Sequence, residues 1–264
     1  MNDNFSSVPD PQTTSLGGWE HVRLTRNEFA QLMARDCFTA RTSDIPVLPK
    51  LAFSMNGQAL SLAATDKGFR AAMKQADYIQ ADGQSLIIAS RYLCQSPLPE
   101  KIPTTDFFHD AAKIAQREGL KFYILGASAE DNKKAIENVK AKYPKLLLVG
   151  SRDGYFVESE EDAICKEIVK SGADVLWLGL GKPKEQLFCI RNKKKLKGVA
   201  WIKTCGGLFD FLSDKNSRAP EWMQNAGLEW LYRTIQEPRR LFWRYFTTNI
   251  HTIYLLLKAK ALLK

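Results

Sequence analysis

The middle of the chain alternates between short apolar segments and longer amphipathic segments, and this alternation constrains the fold more than any other feature. Strand-like segments at 121–125, 146–149, 174–178 and 199–202 are separated by helix-like segments at 130–143, 160–170 and 183–195. Strands that alternate with helices of about 10 to 15 residues are typical of right-handed βαβ units. The sequence therefore predicts an α/β fold with a Rossmann-like, mostly parallel sheet that is flanked by helices.

The same alternation extends toward the amino terminus. The further strand-like segments are 47–54 and a segment ending near Ala81, and the helix-like segments are 25–38, 58–75, 85–93 and 106–117. Thr25 is a suitable cap for the first of these helices, because a threonine hydroxyl accepts hydrogen bonds from free helical N–H groups. We therefore expect residues 23–214 to form one α/β domain.

The first 22 residues have a different composition from this domain. They are rich in Ser, Thr, Pro, Asn and Asp and contain no Lys or Arg. Such a composition predicts a disordered leader over residues 1–22 and does not fit a secretory signal. No stretch of the chain reaches the roughly 18 consecutive apolar residues of a membrane-spanning helix.

Residues 215–264 form a basic and aromatic tail. The chain carries a formal net charge of +9, and eight basic residues from Arg218 onward are opposed by three acidic residues. Arginines mixed with aromatic and leucine residues are typical of helices in a membrane interface. We expect a helical membrane-docking appendage of two or three short helices interrupted at Pro238. Its arginines are expected to bind lipid phosphate: Arg218, Arg233, Arg239, Arg240 and Arg244.

Two other interpretations of the tail remain open. One is a helical pair packed on the core, and the other is a nucleic-acid-binding segment, because arginines and aromatics also bind nucleic acid. The apolar run from 254 to 263 favours a membrane over nucleic acid.

The cysteines and histidines do not form a metal-binding or disulfide pattern. The five cysteines are scattered without a Cys-x-x-Cys pair, and the three histidines are far apart in the sequence. Reduced thiols of a cytosolic protein fit this pattern better than a zinc site or a disulfide framework. No Asp-x-Asp pair is present, so a divalent cation that clamps a diphosphate is not indicated. We predict neither a metal nor a cofactor.

One carboxylate is expected at a ligand-binding edge of the sheet. Asp82 follows the strand that ends near Ala81 and precedes Gly83 and an apolar helix. Ligands of open α/β sheets bind outside the carboxyl ends of the strands. A carboxylate there can accept a proton from a sugar hydroxyl, which makes Asp82 a candidate general base. The alternative is that Asp82 only caps the following helix.

Two polar residues end the preceding strand. Ser54 and Asn56 are separated by one residue, so their side chains share a face of the strand. We expect both to point into the same cleft as Asp82 and to position sugar. The alternative is that Asn56 caps the helix that follows.

Two strand-to-helix turns are candidates for binding the phosphates of a nucleotide. The turn at Gly126 precedes Glu130 and Asp131, whose charges would repel a pyrophosphate. The turn from Gly181 to Lys184 has a lysine on each side of a proline at an expected helix start, which favours binding of an anion. Its nucleotide-binding candidates are Gly181, Lys182, Pro183, Lys184, Glu185 and Gln186. The alternative is a solvated helix start.

Three groups of residues resemble one enzyme family. The first is Ser54-Met55-Asn56 with Ala81-Asp82-Gly83, and the second is the segment 178–186. The third comprises the segments 206–211, 218–222, 227–233 and 237–240, including Gly206-Gly207-Leu208-Phe209-Asp210 and Glu237-Pro238-Arg239-Arg240. Together they resemble the WecG/TagA/CpsF glycosyltransferases over roughly residues 25 to 250.

The resemblance implies an inverting, metal-independent transfer of a hexose or N-acetylhexosamine from a UDP-sugar. The acceptor would be a polyprenyl-diphosphate-linked saccharide of bacterial cell-surface polysaccharide synthesis. The enzyme would act as a peripheral protein on the cytoplasmic face of the plasma membrane. Asp82 matches the aspartate thought to be the family's general base, Asn56 matches its Asn, and Ser54 stands where the family has Thr.

Two departures from the family pattern fall on donor-side positions. The Gln that contacts the nucleotide falls on Glu185, with Gln186 next to it, and a position usually held by Arg is Lys101. The donor sugar, the acceptor and the presence of a homo-oligomer are left open. So are two other classes of function: a nucleotide-binding enzyme that is not a transferase, and a non-catalytic membrane adaptor.

Overall fold

The computed structural model describes Phe5 and residues 8–261, apart from the side chains of Asn225, Arg240, Arg244, Lys260 and Ala261. The strands are β1 (Thr13–Leu16), β2 (Trp19–Val22), β3 (Lys50–Met55), β4 (Tyr78–Ala81), β5 (Lys121–Gly126), β6 (Leu147–Arg152), β7 (Val175–Gly179) and β8 (Trp201–Thr204). The last six form one sheet in the order β4-β3-β8-β7-β5-β6, and every pairing in it is parallel. The predicted α/β fold with a parallel sheet is confirmed.

Helices flank this sheet. They are α1 (Arg26–Arg41), α2 (Gly57–Thr65), α3 (Lys67–Met73), α4 (Gln84–Leu93), α5 (Thr104–Glu118), α6 (Ala129–Lys142), α7 (Glu161–Lys170), α8 (Lys184–Asn192), α9 (Leu208–Leu212), α10 (Glu221–Asn225), α11 (Glu229–Gln236) and α12 (Pro238–Ala261). Thr25 caps α1 in a capping box with Glu28, as its position in the sequence predicts.

Two hydrophobic cores lie on the two faces of the sheet. One contains α1, α5, α6 and α9 side chains around Trp177 and Trp201, and the other contains α2, α3, α7 and α8 side chains around Phe53 and Leu178. All five residues of β7 and all four of β8 are buried. Central parallel strands are covered on both faces, which is why the sequence of β7 is continuously apolar, whereas β8 ends in buried Lys203 and Thr204.

Residues 13–22 are not the disordered leader that composition suggests. They form an antiparallel hairpin, β1 with β2, in which Leu16 and Val22 are buried. Thr14 donates to the carbonyl oxygen of Ser96, 2.7 Å away. Buried and exposed residues alternate in β1, but the strand is short and its residues are mostly polar, so composition does not indicate it.

Two helix predictions also differ from the structure. The helix expected over 58–75 is two helices, because Asp66 ends α2 and its carboxylate caps α3 through the N–H of Phe69. The described part of the tail has three helices and breaks between α11 and α12 as expected, but α12 is not short: it runs for 24 residues, and Pro238 is its first residue. A proline is tolerated there because the first helical N–H has no partner in the helix.

One face of α12 packs against α2. Thr252 donates to the carbonyl oxygen of Gly57 at 2.8 Å, and His251 hydrogen-bonds to Ser61 at 2.8 Å. Leu256 is buried in the second core. This face fits the alternative of a helix packed on the core, whereas the opposite face of α12 is exposed. Among the helices within residues 8–261, none combines the length and apolar character needed to cross a membrane.

Candidate active site

A cleft of about 940 Å³ lies at the carboxyl edge of the sheet. It is built by the residues that follow β4, β3, β8 and β7, four strands that are adjacent in the sheet. Helices α4, α11 and α12 form its other wall. Parallel strands bring their carboxyl ends to one edge, so residues distant in sequence meet there.

Asp82 lines this cleft and is half-buried. Its backbone N–H donates to the carbonyl oxygen of Met55 at 2.7 Å, and its Oδ2 accepts from the hydroxyl of Thr104 at 3.2 Å. It does not cap the helix that follows, because Gly83 is the capping residue of α4 and no side chain bonds to that helix start. The alternative interpretation of Asp82 as a cap is therefore wrong.

Ser54 also lines the cleft, but its hydroxyl is already held by protein groups. Its Oγ lies 2.8 Å from Thr104 Oγ1 and accepts from Lys203 Nζ at 2.9 Å. Ser54 is 5% exposed and Lys203 is fully buried beneath the cleft. Burial lowers the pKa of Lys203 to about 8.

Asn56 caps the following helix and also lines the cleft, while its role in positioning sugar stays a prediction. Its Oδ1 accepts from the N–H of Ala59 at 3.0 Å and so caps α2. The same oxygen lies 3.4 Å from Nζ of Lys182, and both residues line the cleft. Capping therefore fixes the Asn56 side chain in a position where it reaches a lysine of the phosphate-binding candidate.

The predicted phosphate turn after β7 contributes only part of its residues to the cleft. Gly181, at φ +75°, lines it together with Lys182 and Glu185. Pro183, joined to Lys182 by a cis peptide bond, and exposed Lys184 are not part of the lining. The lysine that faces the cleft is therefore the one before the proline.

Glu185 and Gln186 differ in position although they are neighbours. Glu185 lines the cleft, and its carboxylate accepts from the N–H of Gly206 at 3.0 Å and from Gln186 Nε2 at 3.1 Å. Both side chains are buried, with Glu185 1% and Gln186 0% exposed, but Gln186 does not line the cleft. Burial raises the pKa of Glu185. Of the two, Glu185 is the one that can contact a ligand in the cleft.

Gly126 lies outside the cleft lining. It pairs with Gly179 across the sheet, and a Cβ atom at Gly126 would collide with the carbonyl oxygen of Gly179 and with Phe209. Close packing explains this glycine, so the structure gives no support to its predicted role in nucleotide binding.

The basic residues predicted from the tail and from the resemblance fall into three groups. Lys101 and Arg233 line the cleft: Lys101 donates to the carbonyl oxygen of Gln224 at 2.9 Å, and the Arg233 guanidinium lies 5.4 Å from the centre of the Phe211 ring. Arg239 is exposed on α12. The side chains of Arg240 and Arg244 lie outside the described residues.

Arg218 is held by contacts within the chain that the sequence does not predict. Its guanidinium pairs with Asp106 at 2.7 Å and with Glu229 at 2.7 Å, and it donates to the side chain of Gln224 at 2.6 Å. These contacts tie the segment after α9 to α5 and α11. Because these ion pairs engage its guanidinium within the chain, they give no support to lipid-phosphate binding by Arg218, which stays a prediction.

Sequence reasoning missed several residues of the site. Thr104, the loop 204–207, Gln224 and Tyr245 line the cleft, and Lys203 lies beneath it. A signal for Lys203 was present, since a lysine directly follows the apolar strand segment 199–202 and precedes two glycines. A charged residue at the end of a buried strand indicates a paired or functional group.

Within the described residues, no group of three or more His, Cys, Asp or Glu side chains is arranged to hold a metal ion. Metal independence nevertheless stays a prediction.

Comparison with known protein families identifies the class to which this site belongs. The model of the glycosyl transferase WecG/TagA/CpsF family matches residues 16–264, nearly the whole chain. The match includes the cleft, the loops after β3, β4, β7 and β8, and the tail helices. The chain therefore belongs to the WecG/TagA/CpsF family, a family of glycosyltransferases in cell-surface polysaccharide synthesis.

Proposed function

We propose that the protein transfers a hexose or N-acetylhexosamine from a UDP-sugar to a polyprenyl-diphosphate-linked saccharide, with inversion and without a metal ion. One observation carries this proposal. The carboxylate of Asp82 and the ammonium group of Lys182 line one cleft at the carboxyl edge of a parallel sheet. A proton acceptor and a partner for phosphate are thus available to the same pair of substrates.

In the proposed reaction, Asp82 accepts the proton of the acceptor hydroxyl. The hydroxyl oxygen forms a bond to the anomeric carbon, and the bond from that carbon to the β-phosphate oxygen breaks. The electron pair of that bond leaves with UDP. Attack from the face opposite UDP inverts the anomeric centre. A positioned general base contributes about 10²- to 10⁴-fold to such a rate.

The charge that develops on UDP needs cationic partners in the cleft. Lys101, Lys182 and Arg233 are half-buried and line it. Gly181, in the turn before α8, lines the same region, and burial raises the pKa of Glu185 in the first turn of α8, which favours its uncharged form beside a phosphate. Preorganised cations and helix termini stabilise a leaving phosphate in the transition state, which is the role we assign to these groups.

The apolar part of the cleft suits the lipid portion of the acceptor. Between α4 and α12 the lining includes Ile88, Tyr92, Ile253 and Leu257, and each of these side chains is 47% to 78% exposed. This apolar region is continuous with the part that contains Asp82. An amphiphile with a charged head and a prenyl tail matches both parts, because burial of the tail removes apolar surface from water.

The outer face of α12 is the proposed membrane contact. Its large apolar side chains that are more than half exposed are Phe242, Trp243, Phe246, Ile250, Ile253, Tyr254 and Leu257. They follow helical spacing opposite the buried residues Leu241, Thr252 and Leu256. Exposed Arg239 and Lys258 accompany them. An amphipathic helix of this kind lies in the interface of an anionic bilayer, which would keep the cleft beside the lipid acceptor.

A panel of UDP-sugars assayed with a short-chain polyprenyl-diphosphate saccharide tests the proposal. We expect one donor to yield UDP and a glycosylated lipid whose new linkage, determined by NMR, has the inverted configuration. Thermal stabilisation by NAD but not by UDP would instead favour the non-transferase enzyme. Binding of lipid without consumption of any UDP-sugar would favour the membrane adaptor.

A further inference from the structure

Asp82 is connected to a buried lysine through two hydroxyl groups. Lys203 Nζ lies 2.9 Å from Ser54 Oγ, which lies 2.8 Å from Thr104 Oγ1, and Thr104 Oγ1 lies 3.2 Å from Asp82 Oδ2. The four residues come from β8, β3, the start of α5 and the end of β4. Chain topology therefore assembles this series from four separate segments.

The direction of each hydrogen bond follows from the chemistry of its end groups. A lysine ammonium can only donate, so Ser54 Oγ accepts from Lys203. Thr104 has a single hydroxyl hydrogen, and this hydrogen is donated to Asp82. The bond between the two hydroxyls must therefore use the hydrogen of Ser54. A charged donor at one end and a carboxylate at the other strengthen the intervening bonds.

The burial of Lys203 costs free energy, so the presence of a lysine at this position requires an explanation. Its side chain is 0% exposed, and its Nζ also donates to the carbonyl oxygen of Thr204 at 2.6 Å. Transfer of a charged group out of water costs several kcal/mol unless it is well paired. An apolar residue would avoid this cost, so a lysine at the end of a central strand indicates a task for its charge.

We propose that Lys203 is a positioning residue for the general base. Acting through Ser54 and Thr104, it holds Oδ2 of Asp82 in place and leaves Oδ1 as the oxygen that receives the proton of the acceptor. Within the described part of the chain, Thr104 supplies the only side-chain hydrogen bond to Asp82. The inference rests on the proposed role of Asp82 in sugar transfer.

The charge state of Lys203 depends on its surroundings. Burial lowers its pKa to about 8, while Cys205, Asp82 and Glu185 act to raise it and Lys182 acts to lower it. These groups face it from the end of β4, from α8 and the turn before it, and from the residue after β8. Lys203 is therefore mostly protonated at neutral pH and loses its charge as the pH rises through about 8.

Two variants interrupt the series without changing the shape of the site. Lys203→Met keeps a long apolar side chain, and Thr104→Val replaces a hydroxyl by a methyl group, whereas Thr104→Ser retains the hydroxyl. We expect the first two to lower kcat about 10- to 100-fold with the donor KM changed less than about twofold, because a misoriented base acts in the chemical step. Thr104→Ser should stay close to the wild type.

The pH dependence of kcat distinguishes a positioning role of Lys203 from a merely structural one, because a structural role would not change that dependence. Wild-type kcat should fall as the pH rises through about 8, since Lys203 loses its proton there. Lys203→Met should lack this alkaline fall. UDP binding and thermal unfolding of each variant serve as folding controls. If Lys203→Met does not fold, the pH profiles of the two Thr104 variants decide: the alkaline fall of kcat should be absent in Thr104→Val and present in Thr104→Ser.

The inference alone is overturned if wild type transfers sugar, Asp82→Asn does not, and Lys203→Met and Thr104→Val match the wild type. It is also overturned if the alkaline fall persists in Lys203→Met, or if the valine and serine variants of Thr104 behave alike. Full turnover by Asp82→Asn, or no transfer by the wild type from any UDP-sugar, would instead overturn the proposed function and this inference with it.

Discussion

The two walls of the cleft are built in different ways. On the sheet wall, the groups around Asp82 are held by hydrogen bonds between buried or half-buried side chains, such as Ser54 with Lys203. On the helical wall, α12 is held to α2 by one buried face and exposes a row of large apolar side chains on the other. Precise chemistry requires the first arrangement, whereas contact with a fluid bilayer requires only the second.

Arg218 and Arg239 show the same contrast within one residue type. Arg218 has a side chain that is 23% exposed and makes ion pairs with Asp106 and Glu229. Arg239 is exposed at the start of α12. Both belong to the basic tail in the sequence, but one is part of the scaffold and the other faces solvent. Charge counts alone do not separate these roles.

The largest effect is expected on the sheet wall. Asp82→Asn removes the proton acceptor but keeps the shape of the side chain, so kcat should fall about 10²- to 10⁴-fold. The Kd for UDP should change little, because the proposed phosphate partners remain. Steady-state kinetics and calorimetric titration with UDP measure the two quantities. Asp162→Asn, an exposed carboxylate on α7, is the matched control. Equal turnover of the two variants would remove Asp82 from the mechanism.

The next effect is expected on the helical wall. Changing Trp243, Phe246 and Ile250 together to Ser should weaken binding to anionic vesicles about 100-fold while leaving the fold intact, because each loses apolar area that the bilayer would bury. Vesicle flotation measures the loss. The matched control changes Ile45, Tyr155 and Val157 to Ser, three side chains that are 62% to 83% exposed on other parts of the surface. Equal binding by both triple variants would contradict the docking role of α12.

A smaller effect tests the scaffold role of Arg218. Arg218→Ala leaves Asp106 and Glu229 without their shared partner, so the free energy of unfolding should decrease by about 2 kcal/mol, less than for a fully buried pair. Chemical denaturation followed by circular dichroism measures this change. An unchanged midpoint of unfolding, combined with weaker vesicle binding, would contradict the scaffold role and support the predicted binding of lipid phosphate by Arg218.

The smallest effect is expected for Arg239→Ala. One surface arginine contributes about 1 kcal/mol to binding an anionic bilayer, so the vesicle affinity should fall about fivefold. Thermal unfolding should not change, since Arg239 is exposed. Vesicle binding at low and high salt checks the electrostatic origin, because the difference from the wild type should disappear at high salt.

The sequence predicts the fold well because its signals are local. Continuous apolar strands such as Val175–Gly179 and the helices between them are evident from spacing, and the parallel sheet follows from their alternation. Asp82 and Asn56 are found for the same reason, since each directly follows a strand. Residues 13–22 were missed because a short polar hairpin depends on tertiary contacts, such as that of Thr14 with Ser96.

The remainder of the site depends on contacts between distant segments. The connection from Lys203 through Ser54 and Thr104 to Asp82 joins residues up to 149 positions apart, so no spacing rule can indicate it. Glu185 lines the cleft and Gln186 does not, although both are buried, and this difference depends on the rotation of α8 about its axis. The spacing of residues along the sequence therefore predicts neither the connection to Asp82 nor the different positions of Glu185 and Gln186.

A crystal structure of the protein with UDP bound is the most direct test of the central claim that one cleft holds both the base and the donor. We predict that the diphosphate contacts Lys182 and the start of α8, with Asp82 across the space left for the sugar. A diphosphate bound at the Gly126 turn, away from Asp82, would contradict the account.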